Sequence, residues 1–477
     1  MVFKLYGSGV GELVYLYNSD DTIIALSTPP GSGAIAVLRL SGSKAFEFTN
    51  KVFRSASAKD FSSFKSHTLH FGSIYEGDEL LDEVVISLFK NPNSFTGENV
   101  VEISCHGSAY IQQRLFQLFI KQGARVANPG EYTMRAFMNG RMDLSQAEAV
   151  ADLVTSSSEA SHRIALQQMR GGFSGEIKEL REQLIHFASM IELELDFSEE
   201  DVQFANREEL KTLVTNLIAH ITHLSNSFAL GNVIKNGIPV TIAGEPNAGK
   251  STLLNVLLNE ERAIVSDIPG TTRDTIEDEI TLEGIRFRFI DTAGIRETTD
   301  KIESLGIGRT YEKINASSVV ILLFDATLSD AAKLDAAINA VKEKTGENTK
   351  VVVVANKSDL GNEADLRAKF STVEDLIFIS AKQKINIDGL KSKLLQLANA
   401  DLLNSGQTIV TNARHFEALN NANVALKNVY TGLEKKIPGD LLAVEIRRAL
   451  YHLSEILGQV TSEDLLGSIF SRFCIGK

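Results

Sequence analysis

The sequence predicts a multidomain α/β and α+β chain. An N-terminal α+β domain covers residues 1–138, a helical domain comes in two segments (139–236 and 401–477), and an α/β domain over 237–400 is inserted between them. Three observations predict this. The first region mixes short alternating apolar runs with Pro-Gly and Asn-Pro breaks. The second has no proline and carries apolar residues at helical spacing, as in "LIHFASMIELELDF". At "NGIPVTIAGEPNAGKST" the texture changes to buried-strand runs alternating with helices, which continue to about Ala400 before a helical pattern returns at "NARHFEALNNANVALKNVYTGL".

A chain of 477 residues exceeds one ordinary core, and about two to three domains are expected. Its two cysteines, Cys105 and Cys474, rule out a disulfide framework and a four-cysteine zinc site, and point to reducing cytoplasm. No apolar run approaches the roughly 18 residues of a membrane span, so no membrane partner is expected. The opening "MVFKLYGSGVGELVYLYNSD" fits neither a secretion signal nor a transit peptide. A formal net charge of −13 is the wrong sign for a broad nucleic-acid-binding surface, so such contact is local or delegated to a partner.

In chain order, "TIIALSTPPGSGAIAVLRLSG" and "EVVISLFKNPNSFTGENVVEISCHGS" read as strands, with "AYIQQRLFQLFIKQGA" a helix closed by a glycine. On these residues alone, Arg39 reads as a surface charge at a strand end, His106 as a satisfied turn histidine and Cys105 as a buried apolar residue.

"GEPNAGKS" matches G-x-x-x-x-G-K-[ST], preceded by the strand "IPVTIA" and followed by a helix with Leu253, Leu254, Leu257 and Leu258 on one face. Such a loop, from Asn247 through Ala248, Gly249, Lys250, Ser251 and Thr252, turns backbone N–H groups onto phosphate oxygens. Lys250 reaches the β- and γ-phosphates and the Ser251 hydroxyl faces Mg²⁺. "FRFIDTAG" ends a strand at Asp291, whose carboxylate can hold the magnesium shell, followed by Thr292 and by Gly294, whose N–H can meet the γ-phosphate. Between them "DIPGTTRD" offers Thr271 and Thr272, the latter to close the Mg²⁺ shell. "VVVVANKSD" selects the base: Asn356, Lys357 and Asp359 lie at the C-terminal end of a buried strand. One Asp carboxylate accepts both guanine N1–H and the exocyclic amine, two donors adenine cannot supply together. "IFISAK" adds Ser380, Ala381 and Lys382 as a cap over the base. In this order the elements make the region a GTP-binding domain that resembles the Ras-like, TRAFAC-class P-loop G domains.

Ile295 follows "DTAG" where the Ras type uses Gln, so another group must orient the attacking water. Glu297 and Glu303 in "RETTDKIESLGIGR" are candidates, each also readable as a solvated helix charge. Asn247, inside the phosphate loop, offers a neutral amide oxygen that can ligate a monovalent cation.

Together "TPPGSGAIAVLRLSG", "FTGENVVEISCHGS", "NPGEYTMRAFMNGRMDLSQAEAVADL", "ELDFSEED", the G motifs and the closing "FCIGK" resemble the MnmE (TrmE) family of tRNA modification GTPases from about Asp21 to the end. The G motifs alone also fit regulatory RNA- or ribosome-associated GTPases of the Era type; the N-terminal stretches and the tail do not. The resemblance implies a homodimer whose first domain dimerises and holds a tetrahydrofolate derivative (5-formyl or 5,10-methylene). It also implies an FAD-dependent partner, MnmG, in a heterotetramer, and addition of an aminomethyl or carboxymethylaminomethyl group to C5 of the wobble uridine of certain tRNAs. Carried over residue by residue, Asn247, Ser266, Ile268 and Thr271 fall on K⁺ ligands and Glu303 on the water-orienting glutamate. Arg39, Glu102, Arg141 and Lys477 fall near folate contacts; Arg141 stands where the family has lysine, and a guanidinium is not geometrically an ammonium. Met1 to Ser19 precede the usual family start.

Cys474 sits four positions before the end of "RFCIGK". Alone it reads as a small apolar residue on a terminal helix. With the resemblance it becomes a candidate catalytic thiol: "SEDLLGSIFSRF" carries Leu465, Leu466, Ile469 and Phe470 as a stripe that can dock the helix and aim the tail at the folate pocket. The thiol then either serves the uridine chemistry or lines the pocket.

Overall fold

Alternation along the strands sets the first sheet. β1 (Ile23–Leu26), β2 (Ile35–Ser41), β3 (Phe53–Arg54), β4 (Thr68–Glu76), β5 (Glu79–Phe89), β6 (Val100–His106) and β7 (Arg125–Val126) join in the order β3-β4-β5-β6-β2-β1-β7. Every pairing is antiparallel except β1 with β7. Leu38, Leu40, Ile74, Ile86, Leu88, Val101, Ile103 and Cys105 form one buried face with Phe48 and Val52 of α1 (Ala45–Val52) and Leu115, Leu118 and Phe119 of α2 (Ala109–Lys121). The intervening residues, among them Arg39, Leu69, Phe71, Val85 and Glu102, point to the other face because successive strand side chains alternate. α3 (Glu131–Met138) follows β7.

The computed structural model describes residues 21–55, 61–196, 207–261, 278–290, 317–343, 345, 349–398 and 408–476. Contacts divide them into two units. The first takes the described residues of Met1–Ala151, Gln168–Phe204 and Gly439–Lys477; the second takes those of Asp152–Gln167 and Ala205–Pro438.

α4 (Leu144–Thr155) and α5 (Glu159–Met169) lead to α6 (Gly172–Asp196) and α7 (Arg207–Asn236). Buried Phe173, Ile177, Leu180, Leu184, Phe187 and Ile191 of α6 recur every three or four residues, the spacing that lays a stripe along one helix face. In α7 the same spacing is kept by Leu210, Val214, Leu217, Ile221 and Leu224.

The second sheet comprises β8 (Ile238–Gly244), β9 (Asp278–Leu282), β10 (Ile285–Phe289), β11 (Val319–Asp325), β12 (Lys350–Asn356) and β13 (Ile377–Phe378), ordered β13-β12-β11-β8-β10-β9. It is parallel except for β9, which pairs antiparallel with β10. A parallel sheet needs cover on both faces, and every residue of β11 is buried. Val319, Ile321 and Leu323 pack with α8 (Lys250–Glu261) and α11 (Ile387–Leu397). Val320, Leu322 and Phe324 pack with α9 (Ala331–Lys342) and α10 (Glu363–Lys369). The four leucines expected on one face of α8 are all buried.

The chain closes with α12 (Ala413–Glu434), α13 (Gly439–Leu457) and α14 (Glu463–Phe470). α12 lies on α7 in the second unit, and α13 lies on α6 in the first. Among the described residues no helix is long and apolar enough to cross a membrane.

Candidate functional site

Parallel strands β8, β11 and β12 end at one edge of the second sheet, the edge where ligands of open α/β sheets bind. The turn from β8 into α8 carries the Gly-rich loop. Gly249, at φ +98°, sits where a Cβ would collide with the Asn356 carboxamide, and Asn247 takes a left-handed φ of 62°. The Lys250 ammonium donates to the carbonyls of Gly244 (2.8 Å) and Glu245 (3.1 Å), which holds it over the loop. Ala248 is buried, Ser251 is half-buried in the first turn of α8, and Thr252 is exposed.

Asn356 stitches the edge together. It is 3% exposed; its Nδ2 donates to Ala248 O at 2.8 Å and its Oδ1 accepts from Ala381 N at 2.9 Å. One side chain thus ties the phosphate loop to the loop expected over the base. Ser380 is buried and its hydroxyl accepts from Gln383 N at 3.1 Å, closing that loop. Asp359 and Lys382 are exposed. Lys357 has φ 63°, a conformation that costs a residue with a side chain about 1–3 kcal/mol and persists where surroundings impose it. Its Nζ lies 2.7 Å from Asp325 Oδ2 at the end of β11.

Of the nucleotide candidates, Ala248, Gly249, Lys250, Asn356 and Ala381 are brought together, with Asn247, Ser251, Lys357, Asp359, Ser380 and Lys382 on the same loops. Ser266, Ile268, Thr271, Thr272, Asp291, Thr292, Gly294, Ile295, Glu297 and Glu303 lie outside the described residues. Asp325 is a residue that motif reading missed. It stands in "VVILLFDAT", a strand with no phosphate or base motif of its own.

In the first unit the candidate residues meet through strand register. β2 and β6 place Arg39 directly opposite Glu102, and the Arg39 Nε donates to Glu102 Oε1 at 2.8 Å. Arg39 is therefore a half-buried residue inside a strand, not a surface charge at its end. Tyr132 of α3 and Phe95 flank its guanidinium at 5.6 and 5.8 Å. Burial pushes the Tyr132 phenol above its usual range, against the Arg39 charge, so the hydroxyl stays protonated and donates to Arg39 O at 2.6 Å. Behind Tyr132 the fully buried Arg135 is paired with Asp21, Glu98 and Glu131. Burial works against its charge, but Glu98 and Glu131 outweigh that and keep it protonated. Tyr132, Arg135 and Phe95 were not singled out from sequence; their spacing carries no motif.

The tail joins this cluster. Phe470 and Phe473 bury into a pocket with Met134, Leu144 and Ala147, and Leu466 and Ile469 pack against it. Leu465, half-buried like Leu466 and Ile469, lies outside that cluster. Burying one such phenylalanine contributes about 1.5–3 kcal/mol, which holds the last turn against α3. Beyond it, Gly130 N donates to Cys474 O at 3.4 Å and Arg39 Nη1 to Gly476 O at 3.4 Å. Gly476 has φ +97°, and a Cβ there would collide with the Leu26 carbonyl, so only glycine lets the tail approach this closely. The Cys474 thiol is exposed, while burial, then Asp82, pushes the Cys105 thiol up to about 11. His106 ends β6 and both its N–H and its Nδ1 are bound to Asp82 (2.9 and 2.6 Å). Arg141 is exposed beside Gly97 and, among the described residues, makes no hydrogen bond or ion pair with Arg39 or Glu102. Lys477 lies outside the described residues.

Two family models match the chain: "MnmE helical domain" over residues 144–474 and "GTP-binding protein TrmE N-terminus" over 22–141. The chain belongs to the MnmE family of tRNA modification GTPases. The tRNA modification GTPase MnmE of Flavobacterium psychrophilum is 54% identical over 459 residues, covering 96% of this chain and 99% of the relative. That of Cytophaga hutchinsonii is 55% identical over 460 residues, covering 96% and 98%. Among solved structures, a GTP-binding protein from Sulfolobus solfataricus in complex with GDP is 21% identical, covering 46% of this chain and 67% of that one with a TM-score of 0.26. That partial likeness adds nothing to the family match. MnmE family membership makes the chain a GTP hydrolase of tRNA modification with an N-terminal α+β domain, helical segments and a Ras-like G domain.

Proposed function

We propose that this MnmE family member is a K⁺-stimulated, Mg²⁺-dependent GTPase acting in the cytoplasm as a homodimer, together with the FAD-dependent MnmG. Its product is tRNA carrying an aminomethyl or carboxymethylaminomethyl group at C5 of the wobble uridine. A tetrahydrofolate derivative donates the one-carbon unit. The domain division that goes with this reading is 1–138, 139–236 with 401–477, and 237–400.

The single observation that carries it is the tail laid on the Arg39–Glu102 pair. A half-buried guanidinium, flanked by two rings and touching the tail's backbone, fits a ligand with an aromatic pterin and carboxylates. A regulatory RNA-bound GTPase of the Era type has no use for that assembly. Arg39, Glu102 and Lys477 would hold the folate, with Arg141 nearby; Cys474 is the thiol free to take part.

In the G domain, Lys250, held on loop carbonyls, exchanges them for phosphate oxygens, while Ser251 with Thr272 would complete the Mg²⁺ shell. Asp359 is exposed to accept from guanine, and Ser380, Ala381 and Lys382 would cap the base. Asn247, in its left-handed turn, fits a K⁺ ligand with Ser266, Ile268 and Thr271, and Glu303 would orient water. Support for the homodimer comes from the open sheet face, where Leu69 and Phe71 are 71% and 67% exposed, the kind of grouped apolar surface that marks a protein contact.

The test is mass spectrometry of wobble uridine in tRNA from cells lacking the chain. Loss of the C5 aminomethyl-type group is expected; its persistence would overturn the reading.

A further inference from the structure

Asp325 is a buried carboxylate that the motif reading leaves without a role. It ends β11, and the parallel register sets it directly beside Asn356, the first residue of "NKSD". Both of its oxygens are committed. Oδ1 accepts from Thr327 N at 2.9 Å and from Thr327 Oγ1 at 2.6 Å, and Oδ2 receives the Lys357 ammonium at 2.7 Å. The carboxylate side chain is 8% exposed, so water screens this pair little. Burial pushes the Asp325 carboxyl upward, but the hydrogen bonds from Lys357 and Thr327 outweigh it and hold the carboxyl below its ordinary range.

Lys357 is the residue that needs such a hold. Its backbone sits in the left-handed region, which side chains other than glycine rarely adopt. From there the four-carbon stem must run from the end of β12 back to the end of β11, along the edge where Asp359 is presented. An untethered lysine would lose this single path to rotamer freedom.

We propose that Asp325 is a positioning residue of the guanine site, fixing Lys357 so that its stem forms a standing wall beside the base recognised by Asp359. This rests on the guanine-site reading proposed above. The competing explanation is local: Asp325 with Thr327 simply closes a turn after β11. Asp325→Asn separates the two, because the amide oxygen still accepts from Thr327 while the anion facing Lys357 is gone.

The experiment is a double-mutant cycle on GDP binding by calorimetry in the full-length chain, with melting temperature as a second readout. The variants are Asp325→Asn, Lys357→Met, the pair together, and Asp359→Asn as control. Asp325→Asn should weaken GDP by about fivefold, and the pair should bind no more weakly than Lys357→Met alone, since neighbours in one network do not act additively. Wild-type affinity in Asp325→Asn, or a double variant in which the two losses multiply, overturns the proposal. A lower melting temperature with unchanged GDP affinity assigns Asp325 to the turn and also overturns it. If Lys357→Met and Asp359→Asn both bind GDP as the wild type does, the guanine-site reading itself fails and takes this inference with it.

Discussion

The nucleotide edge is built from loops at the ends of neighbouring parallel strands, each loop a motif a few residues long, whereas the Arg39 site draws on β2, β6, α3 and a tail that is 437 positions from Arg39. The first construction is local: Lys250 finds its partners five and six residues back, and Asn356 completes the edge with one side chain. The second exists only when the last helix is docked, because Cys474 and Gly476 are placed by backbone contacts that follow Phe470 and Phe473 into their pocket. The difference teaches that the two sites can be damaged separately. Changes at the strand edge should strike GTP first, and changes around the tail should strike the proposed one-carbon chemistry while leaving GTP alone.

The strongest expected separation comes from Glu303. If it orients water, Glu303→Ala should lower the GTP hydrolysis rate constant by about 10²-fold while reduced-folate binding is untouched. Single-turnover hydrolysis beside folate titration measures both. A near-normal rate would return Glu303 to a solvated charge and promote Glu297.

On the other side, Arg39→Gln removes the guanidinium but keeps a polar side chain of similar reach. A hydrogen bond to a charged group contributes about 1.5–3 kcal/mol, so affinity for a reduced folate should fall by about tenfold or more with GTP hydrolysis unchanged. Equilibrium dialysis with 5-formyltetrahydrofolate checks it. Equal binding would remove Arg39 from the site.

The smallest effect distinguishes the two thiols. With its thiol pushed up to about 11 by burial, Cys105 holds about one thousandth of its population as thiolate at pH 8. Cys474 is exposed. An alkylating reagent at pH 8 should therefore add one label to the native chain, with a second appearing as pH approaches 11 or on unfolding. Two rapid labels at pH 8 would mean that Cys105 is not shielded by the sheet.

The same contrast explains what could be read without coordinates. Strand–loop–helix motifs announce themselves because their chemistry demands fixed residue types at short spacing, so "GEPNAGKS" and "NKSD" stood out and fell on one edge. Asp325 did not, since a carboxylate closing a valine- and leucine-rich strand has no spacing rule tying it to Lys357. Arg39 and Glu102 are 63 positions apart, and only the β2–β6 register makes them a pair. From its surroundings alone Arg39 reads as a surface charge at a strand end; family resemblance, not periodicity, singles out both residues. Tyr132 and Arg135 escaped for the same reason, being a neutral phenol and a buried cation whose partners come from three separate segments. The docking stripe of α14 is legible as helical spacing, but which of its members reach the pocket beside Met134 depends on α3: Leu466, Ile469 and Phe470 do, while Leu465 is half-buried outside it.

The central claim is that one chain holds a GTP site and a tail-assembled chemical site that fail independently. Cys474→Ser tests it most directly, because it changes one exposed atom without disturbing the aromatic residues that dock the tail. The measurement is GTP hydrolysis by the purified variant in K⁺ buffer beside mass spectrometry of wobble uridine in tRNA from cells carrying it. Hydrolysis near normal with the C5 modification abolished or sharply reduced is the predicted result. If hydrolysis and modification fall together, or if modification survives intact, the thiol is structural and the two sites are not separable in this way.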